Sequence, residues 1–139
     1  MRTPEESLER LYTDVWNGEN PEAADELVHE TYVIHDRDLA AELQGPELYK
    51  ALASATREIF PDMTFEIADV VAAGETVAVR WTMTGTHRGE LFGVEPTGRQ
   101  VELPAIEFNR FEDGMLIETW TQSDQFGLLH QLGVDPTAE

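Results

Sequence analysis

A chain of 139 residues, 41% of them hydrophobic, is long enough to bury one sizeable core and too short for two, which predicts a single domain over residues 1–139. The absence of cysteine excludes disulfides, thiolate zinc sites and cysteine nucleophiles together. Nine Lys and Arg against 28 Asp and Glu give a net charge of −19, which repels both a phosphate backbone and an anionic membrane face, so neither a nucleic-acid nor a membrane partner is expected.

Thr3-Pro4-Glu5-Glu6 opens a helix: Thr3 can cap, Pro4 fits the first helical position and Glu6 can complete a capping box. Leu8, Leu11, Tyr12, Val15 and Trp16 follow at three- and four-residue spacing as one apolar stripe, which Asn17-Gly18 ends with a left-handed stop. Asn20-Pro21 opens a second, shorter helix with Ala24, Leu27 and Val28 inward, and Tyr32-Val33-Ile34-His35 reads as a strand. A third helix starts at Gly45-Pro46, carries Leu48, Leu52, Ala55 and Ile59 at helical spacing, and breaks at Pro61-Asp62.

From there the pattern is β. Phe65, Ile67 and Val71 lead to the hairpin signal Gly74-Glu75, after which Val77, Val79, Trp81 and Met83 alternate with polar or small residues. A Gly- and Pro-rich loop from Arg88 to Gly98 contains Leu91-Phe92-Gly93-Val94, whose apolar residues suit a loop folded back over the body of the protein. Val101 to Phe111 and Met115 to Ser123 are joined by Glu112-Asp113-Gly114, a tight antiparallel turn, and Phe126 to Leu132 forms a last helix stopped by Gly133. Three helices and then a strand meander, without a βαβ rhythm, predict an α+β fold in which helices pack on one face of a curved antiparallel sheet that encloses a pocket.

The four histidines form no HxH or HExxH pair, so no metal is expected, and no serine lies in a strand-turn-helix elbow. Gly85-Thr86-His87-Arg88-Gly89 follows an antiparallel strand and precedes no helix, unlike a phosphate-binding loop. A carboxylate near the end of the last strand remains. Strict alternation puts Leu116, Glu118, Trp120, Gln122 and Asp124 on one face, where an apolar neighbour would desolvate Asp124 and tune it as a general base. The alternative is that Asp124 caps the helix beginning at Gln125. Trp16, Trp81 and Trp120 either line a pocket for a flat ligand or belong to the core.

The string GTHRGELFGVEPTGRQVELPAIEFNRFEDGMLIETWTQSDQFGLLHQLG from Gly85, with VWNGEN around Trp16 and GPELYKAL at Gly45, resembles the SnoaL-like polyketide cyclases, or ester cyclases, over nearly the whole chain. Its most specific pieces are the GVEPTGR loop, the RFEDG turn and the DQFGLLHQLG tail. The resemblance implies the nuclear transport factor 2-like fold, a cone-shaped curved antiparallel sheet packed against three N-terminal helices around a central pocket, assembled as a homodimer or higher homo-oligomer. It implies an intramolecular aldol closure with Asp124 as general acid/base and no cofactor, acting on a small apolar or aromatic carbonyl ligand.

The sequence also departs from that family. Glu107 stands where anthracycline-ring cyclases carry a histidine, and Ile34 where they carry an asparagine. Glu107 either joins Asp124 in the pocket, where two carboxylates can share a proton, or faces solvent and pairs with Arg110 or Arg80. His35, in the Tyr-x-x-His-Asp pattern of many relatives, either meets the ligand or bonds to Asp36 or a backbone carbonyl. The expected site is therefore Asp124 and Glu107 as catalytic groups, with His35, Trp81, Trp120, Gln122 and Trp16 holding ligand. The alternatives are a non-catalytic small-molecule binder and an isomerase or hydrolase on the same fold.

No apolar run follows Met1-Arg2-Thr3-Pro4, and no stretch approaches ~20 apolar residues, so a cytoplasmic location is expected. The acidic residues are dispersed along the chain and Lys50 is the only lysine, a pattern suited to a halophile's molar-salt cytoplasm, where screening removes self-repulsion. On that expectation the melting temperature rises from dilute buffer to molar KCl. Equal melting temperatures in the two would sink it.

Overall fold

The computed structural model describes residues 2–35 and 43–134. Helix α1 (Pro4–Leu11) opens with the expected capping box: Thr3 Oγ1 accepts from the Glu6 amide at 3.2 Å and Glu6 Oε1 accepts from the Thr3 amide at 2.9 Å. The stripe then widens into a π-helical turn, Tyr12–Trp16, in which Tyr12 and Val15 are buried. The expected left-handed stop is absent. Asn17 is right-handed (φ −96°), and its side chain instead clamps the sheet, donating to Phe65 O at 2.9 Å and accepting from Phe65 N at 2.6 Å. Gly18 is required for space rather than handedness, since a Cβ there would lie 2.7 Å from Thr13 O.

Helix α2 (Ala23–Leu27) is followed directly by β1 (Val28–His35), so Val28, expected on the inner face of the helix, is the buried first residue of the strand. Helix α3 (Pro46–Ile59) and the strands β2 (Thr64–Ala73), β3 (Thr76–Thr86), β4 (Gln100–Glu112) and β5 (Met115–Ser123) fall where the sequence places them, and α4 (Gln125–Gln131) ends the fold. Gly74 (φ 60°) turns β2 into β3. Asp113 (φ 52°) and Gly114 (φ 79°) turn β4 into β5 with both central residues left-handed, as a twist-matched two-residue hairpin requires.

The five strands form one sheet in the order β1-β5-β4-β3-β2. It is not wholly antiparallel, because β1 lies parallel to β5, with His35 opposite Trp120. Along β4 the burial alternates: Val101, Leu103, Ala105, Asn109 and Phe111 face the helices, and Pro104, Ile106, Phe108 and Arg110 face away. With Val77, Val79, Trp81 and Met83 of β3, the inner residues pack against Leu8, Leu11 and Leu52 of the helical layer in one core. On β5 a bulge between Leu116 and Glu118 shifts the register against β4 by one residue. Leu116 points inward, but beyond the bulge the inward positions are Thr119 and Thr121. Among the described residues no helix is long and apolar enough to cross a membrane.

The corner between α3 and β2 is pinned to β3 by Asp62, whose two carboxylate oxygens accept from Thr86 Oγ1 and Thr86 N, each at 2.7 Å. The Thr86 hydroxyl, and then its amide, hold the Asp62 carboxyl below the usual carboxylate range. A depressed folded value means that the stabilisation is present above the ordinary aspartate value of about 4 and is lost as pH falls through the lower folded value. Asp62→Asn should therefore lower the melting temperature by a few degrees at pH 7, and the gap to the parent should close towards pH 3. Superimposable melts of the two proteins at pH 7 would contradict this.

Candidate active site

Between the helices and the inner face of the sheet lies a cavity of about 100 Å³. Its aromatic wall is organised around Phe65, whose ring centre lies 6.1 Å from Tyr12, 5.1 Å from Trp16 and 4.9 Å from Trp81. Tyr49 of α3 extends that wall, edge-on to Trp16 at 5.8 Å and to Tyr32 at 5.6 Å. The Leu91–Val94 segment turns back on itself through two backbone hydrogen bonds of 3.1 and 2.8 Å, and Leu91 packs against the core, as expected of a loop folded over the body of the protein. This places Leu91 and the exposed Phe92 at the rim.

Among the described residues that line the cavity, Glu107 is the only acidic one. It occupies an inward position of β4, half-buried, opposite Val79 and Thr121. Its Oε1 accepts from the Tyr12 hydroxyl at 2.9 Å and its Oε2 from Trp81 Nε1 at 3.2 Å. Burial, and then the neighbouring Glu107 charge, push the Tyr12 phenol well above its ordinary range, so Tyr12 remains a donor at physiological pH. Thr121 also lines the cavity, and its buried Oγ1 has no hydrogen-bond partner.

Of the residues singled out in the sequence, Trp16, Trp81 and Glu107 meet in this cavity. The alternative pairing of Glu107 does not occur. Arg110 bonds to Glu118 at 3.3 Å and Arg80 Nε to Asp69 at 2.9 Å, both on the outer face of the sheet. His35, Trp120 and Gln122 do not line the cavity, a correction to the strict alternation read along β5. The bulge at Ile117 inverts that alternation and turns Glu118, Trp120 and Gln122 outward.

His35 follows Trp120 to the outer face because the two are register partners. The rings stack at 4.7 Å and 16°, and His35 Nε2 lies 2.9 Å from Glu118 Oε2. Asp36, the other partner considered for His35, lies outside the described residues. Asp124 is exposed and caps α4, its Oδ1 accepting from the Gly127 amide at 2.9 Å, while its neighbours Gln125 and Leu128 line the cavity. Tyr12 and Tyr49 were not legible as site residues. Their signal was a phenol on the buried face of a helix, which needs a partner for its O–H.

No cluster of three or more His, Asp or Glu residues suited to a metal ion occurs among the described residues. A twisted sheet curled around helices, with a deep aromatic cavity on its inner face, is the architecture of the nuclear transport factor 2-like proteins. The model of the SnoaL-like polyketide cyclase family matches residues 6–132, and the chain belongs to that family.

It is 27% identical over 140 residues to aklanonic acid methyl ester cyclase DauD from Streptomyces sp. (strain C5), covering 99% of this chain and 87% of DauD. It is likewise 27% identical to aklanonic acid methyl ester cyclase AcmA from Streptomyces galilaeus, covering 89% of this chain and 87% of AcmA. The crystal structure of IdmH from Streptomyces antibioticus superposes with a TM-score of 0.80 at 34% identity, covering 96% of this chain and all (100%) of IdmH. TsrD from Streptomyces laurentii shares the fold with a TM-score of 0.84 at 24% identity, covering 96% of this chain and 97% of TsrD.

Proposed function

We propose that this protein closes a ring in a small apolar or aromatic carbonyl compound of the polyketide class by acid/base chemistry that needs no cofactor. The observation that carries this is the Glu107 carboxylate, set into an aromatic cavity and held there by Tyr12 and Trp81. A carboxylate so fixed can take a proton from carbon next to a carbonyl, sending the C–H electron pair onto the carbonyl oxygen. The resulting enolate carbon attacks a second carbonyl of the same molecule. A carbon–carbon bond forms, the attacked oxygen takes up a proton, and no atom is lost overall.

Glu107 is the base in this scheme, and Asp124, which the resemblance assigns as acid/base, supplies the proton from the rim. Support for Asp124 is its place between cavity-lining residues and the single oxygen that its cap employs. With aklanonic acid methyl ester and simpler β-keto esters, chromatography should reveal an isomeric product, and reactions in D2O should show exchange at the acidic carbon above the enzyme-free rate. Glu107→Gln should lower kcat by about 100-fold or more, within the range of positioned acid/base groups, and Asp124→Asn by at least ~10-fold, less because it is exposed. Full turnover by Glu107→Gln would remove it from the chemistry, and ligand recovered unaltered and unexchanged would leave a binding protein.

Self-association belongs to the same proposal. Ile106 and Phe108 are 58% and 51% exposed beside Trp120 on the outer face of the sheet, an apolar patch suited to a second copy of the chain. Sedimentation should give at least twice the chain mass of 15.7 kDa, and Phe108→Glu should return the protein to monomer. A monomeric parent would exclude this interface.

A further inference from the structure

The ring closure proposed above, on which this inference rests, needs a hydrogen-bond donor for the carbonyl oxygen that becomes negative. Glu107 accepts and cannot serve. Three hydroxyls of the cavity wall are already committed, Tyr12 donating to Glu107 at 2.9 Å, Thr56 to Leu52 O at 2.8 Å and Thr119 to Asn109 Oδ1 at 2.9 Å, while Thr121 Oγ1 has no partner but sits on the sheet, on the strand next to Glu107. Tyr49 differs. Its hydroxyl oxygen bonds to Trp16 Nε1 at 2.7 Å, and an indole N–H only donates, so the phenol oxygen is the acceptor and its own proton meets no acceptor among the described residues.

The setting of Tyr49 suits a ligand oxygen. Its ring is buried and held edge-on by Trp16 and Tyr32, so the hydroxyl position is fixed by packing. A buried O–H without an acceptor carries a desolvation penalty, which a ligand carbonyl would relieve. Accepting from Trp16 polarises the phenol and makes its own proton the better donor. Burial, chiefly, pushes the Tyr49 phenol well above its ordinary range, so the proton stays on oxygen while it is shared.

We propose that Tyr49 donates its phenolic proton in a hydrogen bond to the substrate carbonyl oxygen as that oxygen becomes an enolate, and that Trp16 is the positioning residue that aims it. As the C–H bond breaks, the proton goes to Glu107 and the electron pair moves onto the carbonyl oxygen. Tyr49 keeps its proton throughout, and the pair returns when the enolate carbon attacks. The site thus divides the work between a base on the sheet and a donor on α3.

The test does not depend on turnover. Carbonyl-labelled 1-tetralone, a flat aromatic ketone with no second carbonyl to attack, is bound to the full chain and its C=O stretch recorded. The stretch should fall below its position in hydrocarbon solvent, return towards that position in Tyr49→Phe, and lie between in Trp16→Phe. The phenylalanine at 49 keeps the ring packing, and near-ultraviolet circular dichroism checks that both variants are folded. An unchanged stretch in folded Tyr49→Phe overturns the proposal, as does a parent protein that binds no ketone from cyclohexanone to 1-tetralone.

With a turned-over substrate, Tyr49→Phe should lower kcat by about 100-fold, the scale of one lost oxyanion donor, with little change in KM. A shifted stretch without ring closure would uphold the hydrogen bond and refute the reaction. Ring closure with an unshifted stretch would do the reverse.

Discussion

The arrangement on which most else depends is a carboxylate inside an aromatic wall. A charge placed among Phe65, Trp16 and Tyr32 is costly unless its oxygens accept hydrogen bonds, and Glu107 accepts from Tyr12 of the π-helical turn and from Trp81 of β3. The dependence is mutual, since removing the carboxylate would strip two buried donors of an acceptor at once, each worth about 1–3 kcal/mol. The triad also crosses the layers of the fold. One donor comes from the helical side and the other from the sheet, so the geometry of the site and the seating of the first helical segment on the sheet are a single constraint.

A second constraint is the bulge in β5. One extra residue between Leu116 and Glu118 decides that Thr119 and Thr121 face the cavity and that Glu118 and Trp120 face away. Two chemistries are thereby separated by the thickness of the sheet. Inside, among the described residues, are aromatic rings, hydroxyls and one acid. Outside, Glu118 is shared between His35 at 2.9 Å and Arg110 at 3.3 Å, while His35 and the Arg110 guanidinium both lie against Trp120. Partly exposed pairs of this kind contribute little to stability, and the cluster serves better to order an outer surface than to hold the fold.

Features set by neighbours in sequence were legible without coordinates. The Thr3 capping box, the Asp113-Gly114 turn, the bounds of α3 and the hydrophobic alternation of β3 each need only a few consecutive residues to be specified. What was misread needed distant partners. Period-two alternation carries no mark of a bulge, so one inserted residue moved Trp120 and Gln122 to the opposite face from the one assigned. The parallel pairing of β1 with β5 joins segments more than 80 positions apart, such as Val28 with Leu116, and took His35 outward along with Trp120. In the candidate site, Glu107 was visible as a register problem with two solutions. Tyr12 reads in the sequence only as one more apolar residue of a stripe, because the partner of its hydroxyl lies 95 positions away.

In the tail, the cap made by Asp124 leaves geometric room for the acid/base role proposed for it. The carboxylate lies directly over Gly127, where a Cβ would sit 2.2 Å from Asp124 Oδ2, so the glycine leaves room for the carboxylate in this orientation. The Gly127 amide holds Oδ1 and thereby sets the orientation of the whole carboxylate, while Gln125 and Leu128 on the same short helix line the cavity. A capping bond of this kind consumes one acceptor site and leaves the group exposed to solvent, the source from which its proton would be replenished. The structural role of the bond is to start α4. The same bond fixes the direction of the carboxylate relative to the cavity wall that α4 helps to build.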